Sequence, residues 1–131
     1  MNSQRTVLIS EDEKSIRLAL VDILASNHFQ TLEAADGKEG VRVALSQHPD
    51  LILLDLVMPQ MDGMTAFKEI RKDAWGARVP VIILTNVTAT DEHLVEDIVT
   101  HKPTHYLIKA DWKLQDVLKK IEDVLSQDSS Q

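Results

Sequence analysis

Leu51-Ile52-Leu53-Leu54-Asp55-Leu56-Val57-Met58-Pro59-Gln60-Met61-Asp62-Gly63 is an aliphatic run that ends on a carboxylate and breaks into a loop holding a proline and an Asp-Gly turn pair. A continuous apolar run of this length, bounded by turn residues, reads as a strand buried on both faces, the central strand of a parallel sheet. Asp55 then stands at the strand's C-terminal mouth. In open α/β sheets ligands bind in the crevice beyond the strand C-termini, so an acid there is badly placed for stability and well placed for chemistry. The competing role for a single Asp at that point is an Asx-turn or a cap on the helix after Gly63.

On both sides of this run the chain alternates between strand and helix patterns. Val7-Leu8-Ile9-Ser10 reads as a strand ending at Glu11-Asp12-Glu13. From Lys14 to about Asn27, Ile16, Leu20, Ile23 and Leu24 recur at helical spacing, with Leu18, Val21 and Ala25 widening the stripe, which predicts a helix covered on more than one side. The segment from His28 to Ala34 alternates weakly, as a strand near the sheet edge would. Asp36-Gly37 marks a turn, Val41, Ala44 and Leu45 form the next helical stripe, and His48-Pro49 stops it. After Gly63, Ala66, Phe67 and Ile70 share one helical face, with Trp75-Gly76 beyond it as an ordinary packing or surface segment.

Val79 to Thr85 is a second buried strand, with Pro80 near its entry, where a missing ladder donor is tolerated. Thr88 to Glu92 supplies cap residues and acids for a helix running to about Thr100, and Lys102-Pro103 breaks it. His105 to Lys109 is the fifth strand. Leu114, Val117, Leu118, Ile121, Val124 and Leu125 make the last helix amphipathic, and residues 127–131 form a polar tail. This βα alternation predicts one doubly wound α/β domain over residues 1–126: a five-stranded parallel sheet with right-handed crossovers and helices on both faces.

The chain has 131 residues, the size of one domain with a full core of its own. It contains no cysteine, which excludes disulfides and thiolate metal sites and suits the cytoplasm. Lys and Arg total 14 against 21 Asp and Glu, a formal net charge of −7, which argues against direct nucleic-acid binding and favours a cation or a basic partner surface. The N-terminus lacks an apolar secretory core, and no apolar run approaches membrane-spanning length. The 5 histidines are dispersed without metal-ligand spacing and read as structural or solvated.

The residues closing the strands are Glu11 and Asp12, Asp55, Thr85 and Lys109. In a parallel sheet these ends point the same way, so adjacent strands gather three carboxylates, a hydroxyl and an ammonium in one crevice. Clustered carboxylates repel unless a cation joins them. Hard oxygen ligands without His or Cys favour Mg²⁺, which takes one or two carboxylates, keeps waters and meets a phosphate. A carboxylate nucleophile can form an aspartyl phosphate, with Lys109 and Thr85 holding its anionic oxygens, so the reaction class is phosphoryl transfer to Asp55. Glu11 and Asp12 have a simpler competing role as caps of the first helix.

At this point the pattern resembles the CheY-like receiver domain of two-component response regulators. The matching motifs are Glu11-Asp12, Asp55 followed by Met58-Pro59 and Asp62-Gly63, Leu84-Thr85, and Tyr106-Leu107-Ile108-Lys109, in register over about residues 5 to 126. The resemblance implies a flavodoxin-like strand order of 2-1-3-4-5 and makes Asp55 the phosphoacceptor. It implies that Asp12, Asp55 and the Val57 carbonyl bind Mg²⁺ directly and that Glu11 acts mostly through water. Thr85 and Lys109 would hold the phosphoryl oxygens, and Tyr106 would be an aromatic switch coupled to Thr85. The implied partners are a sensor histidine kinase or histidine phosphotransfer protein and a downstream protein target. The implied output surface combines the helix after Thr88, the fifth strand and the last helix. Such a domain is a slow phosphoacceptor switch rather than a metabolic enzyme, expected here as a stand-alone regulator, monomeric or weakly dimeric when phosphorylated.

Three departures from the family pattern stand out. Asn86 follows Thr85 where a small residue is usual, Lys102-Pro103 occupies a common Gly-Ala position, and Ala110 replaces the proline after Lys109. A cis bond before alanine costs about 2.5 to 4 kcal/mol, so the Lys109–Ala110 bond is expected to be trans. Two other classes compete with the receiver reading. A metal-dependent phosphatase working through an aspartyl phosphate would want a second acid two residues after Asp55, where Val57 stands. A nucleotide or flavin module of the same architecture lacks support, because the 4 glycines make no G-x-G-x-x-G or P-loop.

Val57 and Val87, two residues beyond Asp55 and Thr85, cannot orient or activate a water for attack on an acyl phosphate. A long-lived phosphorylated state is the expected result. Val57→Asn is expected to shorten its half-life, followed as loss of the phosphorylated mass after removal of donor; an unchanged or longer half-life would contradict this.

Overall fold

Each residue of Leu51–Asp55 is buried, and the strand lies between two others in the middle of a parallel sheet. A computed structural model describes residues 4–55, 63–85, 105–108 and 113–129 of the chain. Within it run β1 (Thr6–Ser10), α1 (Lys14–Ser26), β2 (Gln30–Ala34), α2 (Gly37–Gln47), β3 (Leu51–Asp55), α3 (Gly63–Lys72), β4 (Val81–Thr85), β5 (His105–Ile108) and a C-terminal helix (Leu114–Ser129). The 5-stranded sheet has the order β2-β1-β3-β4-β5, with every neighbouring pair parallel. The weakly alternating β2 is an edge strand, as its pattern predicts.

Successive strand residues point to opposite faces, so a strand covered on both sides must be apolar throughout. Leu8, Ile52, Leu54, Val81 and Ile83 pack on one side with Ala44 of α2 and Ala66, Phe67 and Ile70 of α3. Val7, Ile9, Leu51, Leu53, Ile82 and Leu84 pack on the other with Leu20 and Leu24 of α1 and Val117, Ile121, Val124 and Leu125 of the C-terminal helix. Each fully buried aliphatic contributes about 1.5–3 kcal/mol, so the strands' apolar runs are the main cohesive force of the sheet.

The connections are held by local hydrogen bonds. Asp36 caps α2 by accepting from the Glu39 amide at 2.8 Å, while the Glu39 carboxylate accepts from the Ala35 amide at 3.0 Å, a reciprocal capping arrangement. α1 ends in a Schellman turn: the Phe29 amide donates to the Leu24 carbonyl at 3.0 Å and the His28 amide to the Ala25 carbonyl at 3.2 Å. The residue forced into the left-handed region there is His28, with φ 71°, where glycine is usual. α2 also ends on a left-handed histidine, His48, with φ 49°, but its ring stacks on Trp75 at a centroid distance of 4.4 Å. Beyond α3 the Arg71 guanidinium lies 4.9 Å over the Phe67 ring and donates to the Gly76 and Val79 carbonyls, both at 2.7 Å. Burial lowers its pKa from the usual arginine value; guanidinium nonetheless stays charged in proteins.

Three expectations change. Leu18 is 45% exposed and Ala25 is exposed, so α1 is buried along one stripe only. Leu18 stands two positions from both Ile16 and Leu20, and residues so spaced on a helix do not share a face. β4 begins at Val81 rather than Val79; Pro80 has no amide to pair, although its carbonyl accepts from the Ile52 amide at 3.0 Å. The C-terminal helix continues to Ser129 through the stretch read as a polar tail, because a helix satisfies its own backbone without apolar side chains. The expected helix of 88–100 and the Lys102-Pro103 break lie outside the described residues.

Two substitutions at turn positions are expected to move stability in opposite directions in urea unfolding. His28→Gly relieves an exposed left-handed residue and is expected to gain about 1 kcal/mol. A Cβ at Gly76 would lie 1.9 Å from the Ile70 carbonyl oxygen, so Gly76→Ala is expected to cost about 1–3 kcal/mol. Equal stability of the two variants would contradict this account.

Candidate functional site

The strand order reverses between β1 and β3, and in such sheets the crevice lies at that switch point. β1 and β3 pair with Ser10 opposite Leu54, so one further step of that register sets Glu11 level with Asp55. Glu11 extends the pairing to β2, its amide donating to the Ala34 carbonyl at 2.9 Å. α2 approaches closely here because Gly40 has no side chain: a Cβ on it would lie 2.6 Å from the Ser10 hydroxyl oxygen.

Glu11, Asp12 and Asp55 each offer a carboxylate oxygen within 4.8 Å of the other two. Glu11 and Asp55 are buried, 2% and 4% exposed, whereas Asp12 is exposed, so the cluster opens to solvent on the Asp12 side. Like charges at this separation repel by a few kcal/mol at an effective dielectric near 20. A divalent cation removes that repulsion, and the all-oxygen donor set without His or Cys suits Mg²⁺. The residues therefore fit the ion.

Helix capping does not compete with this role in the way the sequence suggests. The residue at the start of α1 is Glu13, whose side chain makes no capping bond. One Glu11 carboxylate oxygen accepts from the Glu13 amide at 3.0 Å, so the acid is tied to the start of α1 while it stands in the cluster. The cluster's neighbour that sequence reasoning missed is Arg17. It donates to the Glu11 carbonyl at 2.9 Å and, through Nε, to Glu33 on β2 at 3.1 Å. No signal in the sequence points to it, because one partner is a backbone carbonyl and the other an acid on the edge strand.

In the sheet's backbone register Asp55 pairs with Leu84, and Thr85, the last residue of β4, pairs with Ile108 of β5. Tyr106 pairs with Ile83. Val57, Met58-Pro59, Asp62, Asn86, Val87, Lys109 and Ala110 lie outside the described residues, and so does the Lys109–Ala110 bond. A separate cavity of about 600 Å³, bordered by His48, Trp75, Arg78 and Pro80 among others, opens at the opposite edge where the strands begin. Trp75 is half-buried against the core, in keeping with a packing role.

The chain belongs to the response regulator receiver domain family, whose model matches residues 7–122. It is a CheY-like receiver of the kind used in two-component systems. Its relatives include the transcriptional regulatory protein PdtaR of Mycobacterium tuberculosis, 36% identical over 123 residues, which cover 93% of this chain and 57% of that protein. The chain spans 35% of another relative, the probable transcriptional regulator ycf27 of Porphyridium aerugineum. Among solved structures, the Vibrio cholerae chemotaxis protein CheY4 superposes with a TM-score of 0.83 at 26% identity, covering 93% of this chain and 99% of that one. The receiver domain of the sensor histidine kinase PA1611 from Pseudomonas aeruginosa has a TM-score of 0.81 at 29% identity, covering 92% and 97%; that structure has a magnesium ion coordinated in its active site cleft. No helix among the described residues is long and apolar enough to cross a membrane.

If the carboxylates repel in the metal-free protein, neutralising one relieves the strain. Asp55→Asn is expected to raise the melting temperature in EDTA, and saturating Mg²⁺ is expected to stabilise the wild type more than the variant. A variant that melts below the wild type in EDTA would contradict this.

Proposed function

We propose that residues 1–126 act as a phosphorylation switch in which Asp55 accepts a phosphoryl group from the phosphohistidine of a sensor histidine kinase or histidine phosphotransfer protein. The observation that carries the reading is the meeting of Glu11, Asp12 and Asp55 within 4.8 Å at the sheet's switch point. A buried Asp at the end of a central strand, flanked by two further acids, serves a cation and a phosphate better than it serves stability.

Asp12, Asp55 and the Val57 carbonyl would hold Mg²⁺, with Glu11 reaching it through water; the ion would neutralise the carboxylates and the incoming phosphoryl oxygens. An Asp55 carboxylate oxygen attacks phosphorus, a P–O bond forms, and the P–N bond to the donor imidazole breaks. The electron pair stays on the imidazole nitrogen, which takes up a proton. Lys109 and the Thr85 hydroxyl hold the phosphoryl oxygens on the side away from the acids. Phosphate contacts at Thr85 then bias Tyr106, and with it the surface built on β5, the C-terminal helix and the segment between β4 and β5.

The domain turns over slowly and works as a switch, not as a metabolic enzyme. Its target is a protein in the cytoplasm, reached by docking, without direct nucleic-acid contact and with at most weak phosphorylation-dependent dimerisation. The net charge of −7 supports the exclusion of nucleic acid. The experiment is incubation with acetyl phosphate and Mg²⁺, read by intact mass. Addition of one phosphoryl group is expected in the wild type and none in Asp55→Asn or in excess EDTA. Equal incorporation in either control would overturn the reading.

A further inference from the structure

We propose that Arg17 is a positioning residue for the divalent-cation site, holding the backbone from which Glu11 and Asp12 project. The inference rests on the Mg²⁺ reading above and concerns a residue that supplies no ligand to the ion. Arg17 stands one turn into α1, and helical side chains lean toward the helix N-terminus, so its guanidinium reaches back over the loop that links β1 to α1. There Nη1 donates to the Glu11 carbonyl at 2.9 Å and lies 3.5 Å from the Asp12 carbonyl, while Nε donates to the Glu33 carboxylate at 3.1 Å.

The two halves of this clamp differ in strength. Glu33 is 44% exposed, and an ion pair at such a site is worth little because water screens it. The Arg17 side chain is only 15% exposed, and its bond to the Glu11 carbonyl is charge-assisted and partly buried, so the backbone contact dominates. Glu33 chiefly fixes the direction of the guanidinium. With the Glu11 amide bonded to Ala34 and the Glu13 amide to the Glu11 carboxylate, the loop is tied at three points. Arg17 is the tie that acts on the peptide joining the two acids.

Positioning and charge predict opposite signs. Arg17 is a cation near the site, so by charge alone its removal would tighten binding of a second cation. If Arg17 holds the acids in place, removal weakens binding, by about tenfold where an outer residue orients ligands. The test is isothermal titration of full-length protein with MgCl₂, alongside urea unfolding in EDTA. Arg17→Met is expected to raise the Kd for Mg²⁺ about tenfold, with acetyl phosphate labelling recovered at saturating Mg²⁺. Arg17→Lys, which keeps the charge but cannot bridge both partners, is expected to fall between it and the wild type, and it carries the test if Arg17→Met does not fold. Glu33→Gln is expected to stay close to wild type. An unchanged or lower Kd in Arg17→Met, or in Arg17→Lys where that variant carries the test, would overturn the proposal even if the urea midpoint falls. Asp12→Asn separates the two readings: if the wild type does not bind Mg²⁺, or Asp12→Asn binds it equally well, the site reading fails and this inference with it.

Discussion

The register between β1 and β3 is the constraint on which the site depends. With Ser10 opposite Leu54, the next residue of each segment comes level with the other, and both are acids, Glu11 and Asp55. A slip of one residue would send Leu51 and Leu53 to the opposite layer, invert the rest of their strand with them, and separate Glu11 from Asp55. That register is held by burial on two faces, with β3 fully buried from end to end. Hydrophobic packing of the sheet is therefore what forces like charges together.

The two edges of the sheet are built differently. Where the strands begin, polar groups close on one another: the Thr6 amide donates to the Asp50 carboxylate at 2.7 Å, and the Asp50 amide returns a bond to the Thr6 carbonyl at 2.8 Å. Arg71 satisfies two carbonyls at the same edge, and the His48–Trp75 stack covers the end of α2. Where the strands end, two buried carboxylates and one exposed carboxylate face the crevice. In open α/β sheets ligands bind beyond the carboxyl ends of the strands, so the two ends of this sheet meet different demands.

The sequence was most legible where one physical requirement dominated. Doubly buried strands need unbroken apolar runs, so Leu51–Leu54 and Val81–Leu84 could be recognised without neighbours, and the last residues of strands followed from them. Leu18 misled because apolar content alone does not say which helical flank meets the sheet; that depends on where the C-terminal helix packs beside α1. The end of the C-terminal helix was hidden because Gln127, Asp128 and Ser129 have no periodic pattern to read. The three acids could be gathered from topology alone. Arg17 could not, because its partners are a backbone carbonyl and a residue on an edge strand, and neither leaves a mark in the sequence.

Arg17 also shows why a carboxylate cluster cannot be understood from its carboxylates alone. The acids come from two chain segments, and only Asp55 sits on a strand whose position the core dictates. Glu11 and Asp12 lie on the turn between β1 and α1, where backbone geometry is set by hydrogen bonds rather than by packing. A cluster with one acid on a rigid strand and two on a turn is only as well aimed as the turn is. The ties at Ala34, at the Glu13 amide and at Arg17 convert that turn into an extension of the sheet, and of the three only Arg17 brings a charge of the sign that the cluster itself lacks.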